Sequence, residues 1–368
     1  MNLSKSNLIP GDLNFTSTSK RTNPLTVIIA LALGLGVLWL AYDIIQSEEQ
    51  HPIQEFLFGY EEEGFVFYPV SHRNSFFAIV GLVMVLLLVV YGMLVQQGKT
   101  ARKLKEQNRM ITLSNEKITA SIHYAQRIQQ SLLPKEVNVK AGFGDAFVLY
   151  QPRDIVSGDF FWMFSKGDLR LIAAIDCTGH GVPGAFLTIL AHRGLNKIVN
   201  EKGLTTPARI LFELHREIMS ALGQKENQES GDGMEVALCV VNQENKTLTF
   251  SGANLPLFHA TKNGIHKIKG DRFWIGSPVI PLGGPNPFHE KQITFESGDV
   301  FYMFSDGYAD QFGGEQNRKF LSSNLLKLFP DIHSFPLEQQ KKLLEKKLAD
   351  WRGSNPQTDD ILGIGVRV

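Results

Sequence analysis

Cysteine is nearly absent: Cys177 and Cys239 are the only two in 368 residues. That excludes a disulfide framework and suits a reduced, cytosolic main domain. Neither belongs to a C-x-x-C pair, so a zinc site has no support. An excess of either charge is also missing. Lys+Arg and Asp+Glu both number 37, for a formal net charge of zero. The basic footprint of a nucleic-acid binder is therefore lacking. A GxxxxGK[ST] phosphate loop is absent too, which counts against a two-metal nucleotide hydrolase or cyclase.

Charge disappears altogether from two stretches, residues 25–42 (LTVIIALALGLGVLWLAY) and 76–95 (FFAIVGLVMVLLLVVYGMLV). Each is close to the roughly 20 residues that cross a bilayer as a helix. The first is too long for a signal-peptide core, and no A-x-A site follows it. The second is apolar all round, unlike a helix with one face on a soluble core. Lys20 and Arg21 precede the first run, and Lys99, Arg102, Lys103 and Lys105 follow the second. The loop between, residues 43–75, has Arg73 as its only Lys or Arg against seven acids. The positive-inside rule then places both termini in the cytoplasm and the loop outside, a multi-pass anchor in the cell (inner) membrane. Residues 1–24 form a cytoplasmic tail, and 25–95 the two-span anchor.

Proline is absent from residues 96–133 and returns at Pro134, which predicts one connecting helix over 96–134. Leu104, Ile111, Ile118, Ala125 and Leu132 fall seven apart, with Asn108, Asn115, Ile122 and Gln129 at the matching d positions. Apolar a with mostly polar d gives a weak coiled-coil seam that could join a homodimer. The same stripe equally suits a single helix packed on the domain that follows.

Residues 139–368 form one domain-sized block of α+β type. Alternating or apolar runs predict strands at 146–150, 160–164, 169–175, 236–241, 247–251, 300–304 and 361–368. Helical patterns occupy 183–200, 207–222 and 337–351. Strands in hairpin order with helices between them suggest a layered domain.

Several of these strands end on an acid. A turn at 165–168 that pairs Phe164 with Leu169 sets Asp159 opposite Ala174, with Asp176 a diagonal neighbour on the same face, about 7–8 Å away. Bare carboxylates so close repel, and one is forced to protonate unless a cation joins them. Asp306 follows VFYMF, and Asp359 and Asp360 open the last strand. Strand-end aspartates are ordinary turn chemistry one at a time. Four segments doing the same, without His or Cys clusters, favour Mg²⁺ or Mn²⁺ on oxygen ligands. Two such ions roughly 3.5–4 Å apart can activate a bridging water and steady phosphoryl oxygens. In DCTGHGVPGAF, Gly179, Gly181 and Gly184 allow close backbone approach ahead of a helix N-terminus. His180 there is either a general acid or a hydrogen-bonded turn residue.

The segments PRDIVSGDFFW, DCTGHGVPGAF, DGMEVAL, SGANLPLF, FSDGYADQFGG and TDDILGIGV occur in the order found in the SpoIIE-type branch of the metal-dependent (PPM, protein phosphatase 2C-like) serine/threonine phosphatases. The helix ITASIHYAQRIQQSLLP also resembles the element that precedes the domain in many bacterial members, so the resemblance runs from residue 118 to the C-terminus. It implies a PPM-type β-sandwich flanked by helices that hydrolyses phosphoserine or phosphothreonine by metal-activated water. Asp159, Asp176, Asp306 and Asp359 match the family's metal ligands, joined by the Cys177 carbonyl, with Asp232 on a weaker third ion. Asp176, Asp306 and the proton donor His180 form the implied catalytic set. The implied partner is a phosphorylated signalling protein, often an anti-sigma-factor antagonist.

The chain departs from the family pattern at three places. Only Arg153 offers itself as a phosphate-gripping arginine. Ser157 stands where many members have Gly, and Glu235 where Asp is frequent. The competing reading is a catalytically silent phosphatase-fold interaction module governed by the membrane helices. It predicts neither turnover nor metal dependence, and the retained acids argue against it.

Overall fold

The computed structural model describes residues 71–135, 142–223, 231–280 and 282–368, together with Gly34, Leu38 and Val139; for residues 71–79 it describes the backbone alone. The chain divides into two compact units, Met1–Ser114 and Asn115–Val368. Helix α1 (Ser71–Leu132) stops just before Pro134, whose preceding residue disfavours helical backbone. Among the described residues, one helix, Val80–Leu132, is long and apolar enough to cross a membrane by length and composition. It contains most of the second apolar run, and its large side chains from Leu82 to Val95 are exposed. The first apolar run and the acidic loop lie outside the described residues, apart from Gly34, Leu38 and the loop's last few positions.

In the C-terminal unit, the last turns of α1 bury Gln129 and half-bury Ile122, Ala125 and Leu132. These positions form the lower half of the heptad stripe, so packing on the same chain's domain describes the end of this helix. Upstream, Leu104, Ile111 and Ile118 are exposed.

The elements that follow are β1 (Asp145–Gln151), β2 (Asp159–Lys166), β3 (Leu169–Cys177), α2 (Gly181–Asn196), α3 (Pro207–Leu222), β4 (Met234–Asn242), β5 (Thr247–Ala253), β6 (Leu257–Thr261), β7 (Gly264–Ile268), β8 (Lys291–Thr294), β9 (Val300–Phe304), α4 (Gly307–Asp310), β10 (Phe312–Gly313), β11 (Arg318–Lys319), α5 (Ser322–Ile332), α6 (Leu337–Arg352) and β12 (Ile361–Arg367). They build two five-stranded antiparallel sheets, ordered β1-β12-β9-β6-β7 and β2-β3-β4-β5-β8, plus the small ribbon β10-β11.

Period-two alternation sorts the apolar side chains into layers. Along β3, Leu171, Ala173 and Ile175 point to one face, where they meet Leu187, Ala191 and Leu195 of α2 and Ile210, Leu211, Leu214 and Ile218 of α3. Ile172 and Ala174 point to the other face and meet Phe301, Met303, Leu362 and Ile364 of the second sheet. The outer face of that second sheet is covered by α5 and α6 through Phe329, Leu344 and Leu348. The result is a helix–sheet–sheet–helix sandwich.

Helix α3 has the expected bounds, with Pro207 in its first turn and Gly223 as a left-handed stop at φ 64°. The β2–β3 hairpin corrects the expected register. Lys166 pairs with Leu169 across a two-residue loop, and Gly167 takes a positive φ of 58°. Every pair therefore shifts by two residues, and Asp159 lies directly opposite Asp176.

Candidate active site

The acids gather where the inter-sheet core runs out. Asp159 has the parity of Phe161, Asp176 that of Ala174 and Asp360 that of Leu362, so all three face the space between the sheets. Directly opposed residues hold their Cβ atoms about 4.5–5.5 Å apart, closer than the diagonal spacing expected from sequence. Asp306 arrives from the second sheet as the residue before α4. A Cβ on Gly307 would meet the Asp360 carbonyl at 1.9 Å and Asp359 Cβ at 3.4 Å, so only glycine lets the β9–α4 turn lie against the start of β12.

Burial and mutual repulsion act on these carboxyls together. Asp159 is 2% exposed, and burial followed by the Asp176 charge pushes its carboxyl well above the usual range. Asp176 is pushed up to about 8 by burial, then by Asp306 and Glu235. Asp306 is pushed up to about 6 by burial, then by Asp310 and Asp359. Asp159 Oδ2 is buried with no hydrogen-bond partner.

Backbone clamps fix the segment that carries Asp159. The buried Asp360 carboxylate accepts the Arg153 N–H through Oδ1 and the Gly158 N–H through Oδ2, both at 2.7 Å. Ser157 Oγ accepts the Asp159 N–H at 3.1 Å. From α1, Gln129 Nε2 donates to the Ser157 carbonyl at 2.6 Å and to Thr188 Oγ1 at 3.0 Å, while its Oε1 accepts the Ser157 N–H at 3.1 Å. Ser157, read from sequence as a departure, is thus a hydrogen-bonding hub. A Cβ on Gly158 would meet the Gly179 carbonyl at 2.5 Å and the Cys177 carbonyl at 3.2 Å, so glycine at this position lets the segment lie against the loop that follows β3.

The glycine loop leads from β3 into α2, with Gly179 and Gly181 at φ 81° and 67°. His180 is the residue before that helix, and its Nδ1 lies 2.7 Å from Asp154 Oδ2; both side chains are exposed. Asp154 escaped the sequence reading, although it lies in the same PRDIVSGD stretch as Asp159. The Arg153 guanidinium donates to the Thr358 carbonyl at 2.9 Å, beside Asp359. Thr178 joins the loop to the 232–233 backbone by accepting the Gly233 N–H at 2.9 Å and donating to its carbonyl at 2.8 Å. In that segment the charge of Glu235 bears on both Asp176 and Asp306.

Among the described residues, no three His, Cys, Asp or Glu side chains stand as a preformed metal cage. The donor chemistry nevertheless fits a hard divalent cation. The donors are all oxygens, one of them is buried and unpartnered, and the neighbouring carboxyls repel in the absence of positive charge.

Comparison with known proteins identifies the family of the domain. The family model for stage II sporulation protein E (SpoIIE) matches residues 166–368, more than half of the chain. The SiaA-PP2C domain of Pseudomonas aeruginosa is similar at 32% identity and a TM-score of 0.62, covering 69% of this chain and 98% of that one. The RsbU and RsbW domains of a Mycobacterium tuberculosis protein match at 18% identity and a TM-score of 0.48, over 61% and 60% of the two chains. The PP2C domain of SpoIIE from Bacillus subtilis, with a fragment of its regulatory domain, matches at 15% and 0.49, over 61% and 63%. Among curated proteins, none matches the chain. The chain belongs to the SpoIIE family and is a PP2C-type serine/threonine protein phosphatase.

Proposed function

We propose that this phosphatase is held in the cell membrane by two spans, residues 25–42 and 76–95, with its catalytic domain (139–368) in the cytoplasm. There it removes phosphate from serine or threonine of a signalling protein, of the anti-sigma-factor-antagonist type, with Mn²⁺ or Mg²⁺ as cofactor. The uncharged runs and the cationic flanks support the anchor. The upstream heptad positions Leu104, Ile111 and Ile118, exposed in this chain, support a homodimer through the connecting helix, residues 96–134.

The observation that carries the reading is the direct opposition of Asp159 and Asp176 at the acid-lined end of the sandwich. Asp159, Asp176, Asp306 and Asp359 would hold two ions together with the Cys177 carbonyl, and Asp232 would contribute to a weaker third. Bound there, the ions supply Lewis-acid polarisation of phosphoryl oxygens and activation of water. The chain's own groups do the rest. Asp360 and Ser157 fix the Asp159 backbone, and Arg153 offers positive charge at the rim. Asp154 holds Nδ1 of His180, which leaves Nε2 to carry a proton to the departing alkoxide.

The test is dephosphorylation of a phosphoserine protein by the full-length chain in nanodiscs, with Mn²⁺ and with EDTA. Asp176→Asn is expected to lower Mn²⁺-dependent turnover by roughly a thousandfold while leaving the circular dichroism spectrum unchanged. Equal turnover by the folded variant would refute the assignment.

A further inference from the structure

The row of opposed acids does not end at Asp176. Across the next strand pair, Asp176 of β3 lies directly opposite Glu235 of β4. Glu235 has the parity of Ala237, so it faces the same inter-sheet space as Asp159 and Asp176. Three carboxylates thus stand side by side on three adjacent strands. Glu235 is half-buried, and among the described residues no Lys or Arg forms an ion pair with it.

One group does reach it: Asn254 Nδ2 donates to Glu235 Oε1. Asn254 follows β5, at the position that continues the row. Its backbone is left-handed, with φ 65°, a conformation sparsely populated by residues other than glycine and asparagine. Its N–H is tied to the Asp271 carbonyl at 2.8 Å, which holds that conformation in place. The constraint aims a neutral amide donor at a carboxylate that already has acid neighbours. An amide orients such a group without cancelling its charge, whereas a lysine would neutralise it. A second observation points to a ligand along the same row: two strands from Glu235, Asp159 Oδ2 is buried and unpartnered.

We propose that Glu235, oriented by Asn254, is a further carboxylate of the divalent-cation site, acting on the side of Asp176 and Asp306. The proposal rests on the metal-dependent reading above. It assigns a binding task to a position that sequence comparison marks only as a departure. Asn254 is a positioning residue that works through Glu235.

Mn²⁺ binding to the full-length protein, counted by electron paramagnetic resonance of the free ion and followed by thermal unfolding, tests the idea. Glu235→Gln is expected to weaken binding of one ion by about tenfold or more, and Asn254→Ala to weaken it less. Glu235→Asp should retain part of the affinity, and it keeps the test open if the Gln variant folds poorly. Without metal, Glu235→Gln should raise the melting temperature, because a repelled charge is gone; with Mn²⁺ the order should reverse. A merely structural glutamate would lower both. Unchanged Mn²⁺ count and affinity in Glu235→Gln would overturn the proposal while leaving the phosphatase reading intact. Absence of Mn²⁺ binding by the wild-type protein would instead overturn the metal reading beneath it.

Discussion

Two neighbouring layers of the inter-sheet space differ by a single two-residue step along the strands. In the inner layer stand Phe161, Ala174, Ala237, Met303 and Leu362, all buried. One step towards the strand ends, on the same face, stand Asp159, Asp176, Glu235, Ser305 and Asp360. Backbone geometry and orientation are shared; only the side chains change. The inner layer contributes stability by burying apolar area. The outer layer sets four carboxylates where burial and repulsion oppose their charge. A sequence that served folding alone would continue the apolar layer, so the acids point to an ionic ligand.

Substitutions in the two layers should have opposite signs, which is the sharpest way to break this comparison. Phe161→Ala removes a large buried ring and should cost about 3–5 kcal/mol, lowering the melting temperature equally with EDTA and with Mn²⁺. Asp159→Asn, one step away, should raise the melting temperature in EDTA and abolish most of the Mn²⁺-induced rise. Differential scanning fluorimetry of the full-length protein reads both. A fall in EDTA for Asp159→Asn would show that this carboxyl is held by hydrogen bonds rather than by a cation.

The pH dependence of stability sharpens the same contrast with a smaller effect. Burial and then neighbouring acids push Asp176 up to about 8 and Asp306 up to about 6 in the metal-free fold, against about 3.9 in an unfolded chain. The folded state therefore holds protons that the unfolded state releases. The stability these two groups contribute is fully present below about pH 4 and is lost as pH rises through the folded values towards 8. Mn²⁺ competes with those protons and should flatten or reverse the slope. A melting temperature in EDTA that stays level from pH 5 to pH 8 would contradict the repulsion described here.

Much of this fold was legible because the pattern that buries side chains also writes the sequence. Ile210, Leu211, Leu214 and Ile218 gave α3 its bounds, since one helix face meets one sheet. Strands buried on both faces, such as β3 and β9, were equally plain. The two-residue error in the β2–β3 hairpin arose at an edge. β2 lies at the side of its sheet, so Ser165 and Lys166 pair in the ladder while remaining exposed and polar. Strands β7 and β8 escaped for the same reason, as GIHKI and KQIT bury little. The Asn263-Gly264 pair was the available turn signal for β6 and β7. At the site, strand-end aspartates could be read singly. The place of Glu235 depends on a register between β3 and β4, elements more than 50 residues apart, which no local pattern encodes. The partnership of Asp154 with His180 likewise arises only when the loop before β2 meets the start of α2.

That partnership supplies the smallest of the expected effects, and it separates proton transfer from metal binding. Asp154 and His180 lie outside the opposed row and are exposed, so altering them should leave Mn²⁺ affinity unchanged. His180→Gln should lower kcat on a phosphoserine peptide by about a hundredfold, because a serine alkoxide leaves poorly without a proton. Asp154→Asn keeps the imidazole but loosens its orientation, and about a tenfold loss is expected with KM little changed. With p-nitrophenyl phosphate the leaving group needs no proton, so both variants should approach wild-type rates. If both variants lost activity equally on the two substrates, the histidine would be holding the loop rather than delivering a proton.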